Sequence, residues 1–294
     1  PDKMKKMIYP LGIPSHIKHT SKKFKQKENH LYVLELENFN GYIKDNMIPI
    51  YQHSASGEYL ENFQELDNIL IWYDELLMLE NFYDLDYKII DVMEFKGASP
   101  KGVKTFIDKF YKIKNENKGA KKNSAKLIIN SSYGKLSQKI ERPIIEIEMA
   151  EDGIVKFVIT GTEIDENSML SVLVGSRITA LARCDLGYHI LKYSKGNPKK
   201  YFIYCDTDSI HTTLNCTEDI DDKELGKYKC EGIYQNGLYL APKTYILNNK
   251  IEKNEYEVHC KGVNTEVVKK EISSLDFKDA IKVFKGNRNF KTLC

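Results

Sequence analysis

Two stretches rich in β-branched and aromatic residues, KKYFIYC and SIHTTL, flank Asp206-Thr207-Asp208, and a chain patterned this way must turn back on itself between them. Each arm reads as a strand, with Asp206, Thr207 and Asp208 making the turn. That turn carries two carboxylates. At ~4 Å separation and an effective dielectric of about 20 they would repel by roughly 4 kcal/mol, a cost that folding has to offset. A divalent cation is the natural counter-charge. All-oxygen ligands select a hard ion such as magnesium, with manganese as the alternative, which takes one or two carboxylates and completes its shell with water and phosphate. Asp-x-Asp also occurs in tight turns for backbone reasons alone, so the pair acquires meaning from what accompanies it.

The accompaniment is electrostatic first. Residues 96–142 contain 13 Lys or Arg against 3 acidic residues, whereas residues 28–95 contain 15 acidic residues against 2 Lys. A net charge of only +2 therefore hides a strongly basic block beside an acidic one. A basic block can be a solvated helical face, but near a carboxylate pair it suits a track for phosphates, each of which releases counter-ions when neutralised. The remaining composition excludes other classes. No run of 18 or more apolar residues and no charged, apolar, small-residue leader is present, so neither a membrane partner nor secretion is expected. Six cysteines fall without a C-x-x-C pair and the histidines are scattered, which argues against zinc or a disulfide framework and for a reducing cytoplasm. In that compartment the sequons at Asn130 and Asn215 are chance matches.

Along the chain, PDKMKKMIYPLGIP is a short basic segment closed by prolines. Residues 31–50 predict two strands around the Asn40-Gly41 pair, residues 68–72 a further strand, and 73–84 a helix using Leu76, Leu77, Leu79 and Phe82; a strand over 86–97 follows. Trp72 reads as a core residue. Helical patterns run from Pro100 to Lys118 and from Gly119 to about Lys135, broken at Asn117, Lys118 and Gly119. On the second of these, Lys122, Lys126, Asn130 and Tyr133 fall on one face, leaving Leu127, Ile128, Ser132 and Leu136 for packing. Gly134 would let a sugar, base or strand approach the backbone. Next come a hairpin with an Asp152-Gly153 turn and a helix from about Ser168 to Tyr193, with Val172, Leu173, Ile178, Leu181, Ala182 and Leu186 as its core side. The carboxylate hairpin follows, then APKTYIL, a strand EYEVHCKGV and a helix around SLDFKDAIKVF.

Three motifs in order, K-x-x-x-N-S-x-Y-G from Lys126 to Gly134, Y-x-D-T-D-S from Tyr204 to Ser209 and K-x-Y from Lys243 to Tyr245, resemble the nucleotide-, metal- and primer-binding motifs of family B DNA polymerases. The finer spacing is similar to the protein-primed subgroup of phages and linear plasmids, and YCDTDSIH at 204–211 is a particularly close match. The resemblance covers nearly the whole chain. It implies an α+β fold: a palm with an antiparallel sheet, helical fingers, a partial thumb and two terminal-protein-region insertions. By position, 1–14 is a palm segment, 15–95 the first insertion, 96–139 the fingers, 140–165 the second insertion, 166–262 palm and 263–294 partial thumb. It further implies that Asp206 and Asp208 are catalytic metal ligands, that Tyr204 supports the primer end, and that Lys126 holds the nucleotide phosphates. Asn130 and Tyr133 would shape the sugar and base pocket, Lys114 and Lys122 approach phosphate, and Lys243 and Tyr245 grip the primer strand. The implied partners are template–primer DNA, deoxynucleotide triphosphates and a terminal, priming protein; the implied state is a monomer in the host cytoplasm. The implied activity is template-directed deoxynucleotidyl transfer with two magnesium ions.

One motif departs. Family B polymerases carry D-x-x-S-L-Y-P, whose aspartate bridges both metals, and this chain opens on Pro1, which matches that motif's last residue. The resemblance thus implies a fragment lacking that aspartate and the exonuclease domain and stopping within the thumb, inactive alone. An alternative from another class is a non-catalytic module that binds DNA or the priming protein on the same scaffold. A reverse transcriptase would want adjacent aspartates, which Thr207 separates, and a nuclease would need further acidic ligands.

Overall fold

The computed structural model describes residues 7–18, 24–52, 57–137, 141–149, 155–164, 171–221, 224–249 and 256–286. The Asp152-Gly153 turn, Ser168 and the opening residues 1–6 lie outside them. Two compact units follow one another along the chain, Pro1–His189 and Ile190–Cys294.

The first unit begins with an antiparallel sheet of β1 (Tyr9–Lys18), β2 (His30–Ile43), β3 (Asn62–Leu66), β4 (Ile69–Trp72) and β5 (Tyr83–Ala98), ordered β1-β5-β2-β3, with β4 also paired to β2. Leu34, Leu36, Phe39, Phe82 and Val92 are wholly buried within it. Two expectations are corrected. The basic, proline-bearing opening contains a strand: β1 pairs with β5 from Tyr9 to Lys18, with a register shift between Leu11 and Ser15 where Gly12 takes φ 68°. An edge position with a bulge is where proline is tolerated in a sheet. Asn40-Gly41, expected to turn, instead lies inside the single strand β2. The pairing slips there, Asn38 takes φ 47°, and the Phe63 ring lies over Gly41 so closely that a Cβ would sit 2.2 Å from its Cζ. The glycine is there to admit a ring, as glycines in strand interiors often do.

Helix α1 (Tyr73–Leu79) buries Leu76, Met78 and Leu79, with Leu77 turned outward. Trp72, as expected, is core, at 5% exposure. Helices α2 (Lys101–Glu116) and α3 (Gly119–Leu136) form an antiparallel-sequence pair broken where predicted, with Gly119 at φ 60°. The packing side of α3 differs from the expected one. Ala125 and Ile129 are buried, each 2% exposed, while Leu127 is 69% exposed and Ile128 38%. A two-strand ribbon follows, β6 (Glu141–Met149) with β7 (Val155–Ile164). Then α4 (Val172–Tyr193) buries Ile178, Ala180 and Cys184, whereas Val172 is 68% exposed and Ala182 is also outward. Arg177 and Arg183 of α4 bind Asp74 and Glu75 in the first turn of α1, where acidic side chains suit the helix dipole.

In the second unit, α5 (Pro198–Tyr201) leads into the hairpin β8 (Phe202–Asp206) and β9 (Ser209–Thr212). A three-stranded antiparallel sheet, β10 (Tyr234–Ala241), β11 (Thr244–Asn249) and β12 (Tyr256–Cys260), is backed by α6 (Thr265–Ile272) and α7 (Phe277–Gly286). Ile246, Val258, Val268, Ile272 and Ala280 fill that seam. This core fixes the β10–β11 turn, on which part of the site depends. No described helix is long and apolar enough to cross a membrane.

Candidate active site

The hairpin tip is tighter than a three-residue turn. Asp206 ends β8 and pairs with Ser209, leaving only Thr207 and Asp208 as the turn. The Asp208 amide donates to the Asp206 carbonyl at 2.6 Å and Thr207 takes φ 57°. A β-branched residue in the left-handed region costs ~1–2 kcal/mol, and strain of this kind collects at functional sites. Period-two alternation sends Tyr204 and Asp206 to one side of β8 and Cys205 to the other. Asp208 projects from the tip and is exposed.

Facing Tyr204 and Asp206 is the β10–β11 turn, Pro242-Lys243, closed by Ala241 opposite Thr244. Lys243 has φ 59°, a conformation for which glycine is the usual choice. Its amide donates to the Tyr204 hydroxyl at 2.9 Å, and its ammonium pairs with Asp206 Oδ2. The other carboxylate oxygen, Oδ1, accepts from the Thr207 hydroxyl at 3.0 Å. The Lys243 ammonium, aided by Thr207 against the opposing effect of burial, holds the Asp206 carboxyl below its usual range. The expected cationic compensation of Asp206 is thus supplied here by a lysine.

Beneath this contact lies an aromatic group that the motifs did not announce. Tyr204 stands 5.4 Å from the rings of Tyr239, Tyr245 and His211. His259 stacks on Tyr245 at 4.6 Å, and Tyr245 itself is only 8% exposed. Burial pushes the Tyr239 and Tyr245 phenols up to about 12 and the His211 imidazole below its ordinary value. The Tyr239 hydroxyl and His211 Nδ1 share a hydrogen bond at 2.8 Å. Tyr239 opposes Tyr245 across the β10–β11 ladder. That pairing is the signal the sequence held, because a two-residue turn at Pro242-Lys243 brings residues on either side of it face to face.

The other expected residues belong to the first unit. Lys122, Lys126, Asn130 and Tyr133 are exposed on α3, flanking the buried Ala125 and Ile129, which lie beside them at three- and four-residue spacing. Lys114, near the end of α2, joins them: burial foremost, then the charges of Lys126 and Lys122, hold its ammonium below the usual lysine range. Lys114, Lys122 and Lys126 thus act on one another as like charges. Lys114 also lies over the Tyr111 ring at 4.9 Å. A Cβ on Gly134 would meet nothing within 4 Å, leaving that stretch of α3 open.

Among the described residues no group of three or more His, Cys, Asp or Glu is arranged to hold a metal. Asp206 and Asp208 offer carboxylate oxygens alone. Such a donor set suits an ion that uses one or two carboxylates and fills its shell with phosphate and water, and it does not suit zinc.

A family model described as DNA polymerase type B, organellar and viral, matches residues 1–225. A DNA polymerase of Bacillus phage phi29 is 30% identical over 295 residues, spanning 93% of this chain and 48% of that protein. A DNA polymerase of Streptococcus phage Cp-1 is 27% identical over 307 residues, spanning 100% of this chain and 52% of its own length. The chain thus spans about half the length of these curated relatives. Among solved structures, phi29 DNA polymerase complexed with primer-template DNA and incoming nucleotide substrates superposes with a TM-score of 0.77 at 26% identity, covering 95% of this chain and 50% of that one.

Proposed function

The chain belongs to the type B DNA polymerases of the organellar and viral kind, and from that membership we propose that it serves template-directed deoxynucleotidyl transfer within a protein-primed replicative polymerase of a host cell's cytoplasm. Its partners are primer–template DNA, deoxynucleotide triphosphates and a priming protein. The observation that carries this reading is the meeting of two distant motifs in one place: Tyr204 and Asp206 from the hairpin with Lys243 from the K-x-Y turn.

Type B polymerases use divalent metal ions. In this chain Asp206 and Asp208 would hold magnesium, which when bound stabilises charge on the attacking and leaving oxygens of an in-line displacement at phosphorus. The protein's own groups do the positioning. Lys114, Lys122 and Lys126 draw in the triphosphate, and their mutual repulsion is relieved by its negative charge. Asn130 and Tyr133, one helical turn further along the same face, bound the sugar and base. Lys243 offers its ammonium to a primer phosphate, and Tyr204, Tyr239, Tyr245 and His259 keep the turn that bears it rigid. Orientation of this kind is a large share of catalysis in phosphoryl transfer.

Primer extension by the intact polymerase, with Asp208→Ala against wild type, tests the reading. A loss of about a thousandfold, roughly 4 kcal/mol of barrier, is expected. Extension retained to within about tenfold refutes the metal role. Wild-type primer–template binding without any extension would favour a binding module.

A further inference from the structure

Resting on the proposed function, we infer that Lys243 is an internal counter-ion exchanged between Asp206 and the primer: without DNA it neutralises the carboxylate, and a seated primer phosphate draws it away, freeing Asp206 for the metal. Both oxygens of Asp206 are engaged, Oδ1 by the Thr207 hydroxyl and Oδ2 by the Lys243 ammonium. Each oxygen keeps a further lone pair for a cation, but an ammonium beside a divalent ion is repelled by it, so a metal seated on this carboxylate favours release of the lysine. Asp208 acts on the lysine through its charge, while the hydrogen-bonded ion pair is made to Asp206, so the two aspartates, alike in type and two residues apart, are unequal.

The arrangement suits exchange better than permanent pairing. Lys243 is anchored to β8 by its backbone, through the Tyr204 hydroxyl, independently of where its ammonium points. Its left-handed φ of 59° fixes the direction in which the side chain leaves the turn. The stem beyond is four flexible carbons, and the pair is open to solvent, with the lysine side chain 56% and the aspartate 28% exposed. The ammonium can therefore swing from carboxylate to phosphate while the turn stays in place. Primer and metal binding become coupled: each is tighter when the other is present.

The first arm of the test needs no metal. Primer–template affinity is measured by fluorescence anisotropy in EDTA over a salt series, for wild type, Asp206→Asn, Asp208→Asn, Lys243→Met and the double variant Asp206→Asn/Lys243→Met. Asp206→Asn releases the lysine, so it should tighten binding by about eightfold at 0.1 M salt and steepen the salt slope by about one phosphate contact. Asp208→Asn should tighten it far less, and the gain should vanish when Lys243 is Met. Equal gains from the two Asn variants, or a gain that survives without Lys243, would overturn the exchange. The second arm is Mn2+ binding followed by electron paramagnetic resonance. Without DNA, Lys243→Met should bind Mn2+ several-fold more tightly than wild type, while Lys261→Met, one strand away beside Cys260, should not. Identical Mn2+ affinity in wild type and Lys243→Met would also overturn it. Absence of primer–template binding by every variant at low salt would instead refute the proposed function on which the exchange rests.

Discussion

Replacing Ile129 by Ala and, separately, Leu127 by Ala asks which side of α3 packs and therefore which side is free for substrate. Ile129 is 2% exposed and Leu127 69%. Truncating a buried isoleucine removes its transfer energy and leaves a cavity, together ~2–5 kcal/mol. Leu127 has about a third of its surface to lose, so on ~1.5–3 kcal/mol for a fully buried leucine its truncation costs about 0.5–1 kcal/mol. For a unit of this size each kcal/mol moves the midpoint by roughly 2–4 °C. Ile129→Ala should thus lower Tm by ~4–20 °C and Leu127→Ala by ~1–4 °C. Thermal unfolding followed by circular dichroism at matched protein concentration separates the two. An equal or greater loss for Leu127→Ala would mean that α3 is rotated. Lys122 and Lys126, which flank Ala125 and Ile129, would then turn away from the seam and from Lys114, and the grouping of the three lysines would fall.

Two glycines make opposite predictions. Gly41→Ala would push a methyl into Phe63, which is wedged 4.9 Å from Phe39 and 4.5 Å from Tyr51 and cannot retreat; overpacking should cost ~1–3 kcal/mol, read from the urea midpoint. Gly134→Ala meets no neighbour and should stabilise the helix by ~0.5–1 kcal/mol, yet weaken nucleotide incorporation if substrate approaches that backbone; unchanged incorporation would remove Gly134 from the site. For His211, burial in the folded state lowers the imidazole pKa below its ordinary value. The unfolded chain then binds more protons below its ordinary value of about 6.5. Stability is therefore full above that value and falls as pH drops from there towards the folded pKa. Urea midpoints between pH 7.5 and pH 5 should decline more steeply for wild type than for His211→Gln, and parallel declines would refute the assignment.

What the sequence made legible was local. Strand arms around Asp206-Thr207-Asp208 and the helix break at Gly119 depend on neighbours within a few residues, and the described structure keeps them. Asn40-Gly41 misled because the same pair that suits a hairpin turn also suits a bulge, and the choice was made by Phe63, more than twenty residues away. Leu127 and Ile128 mislead because hydrophobicity does not decide burial: a helix lying on another helix along a narrow seam buries the small Ala125 and the single Ile129 instead. The pairing of Lys243 with Asp206 was invisible for a third reason. The two residues lie 37 positions apart, and only the β10–β11 turn folding against β8 brings their opposite charges together.

The β6–β7 ribbon bears on how this protein must be handled. Ile145, Ile147, Met149, Val155, Phe157 and Ile159 fall on one side of it by register, each more than half exposed, and both strands are edges, with Pro143 and the reverse-side Glu146 and Glu148 as the features that discourage sheet extension. Purified samples should accordingly turn cloudy first through this ribbon as concentration rises, and a charged replacement at Phe157 should keep them clear.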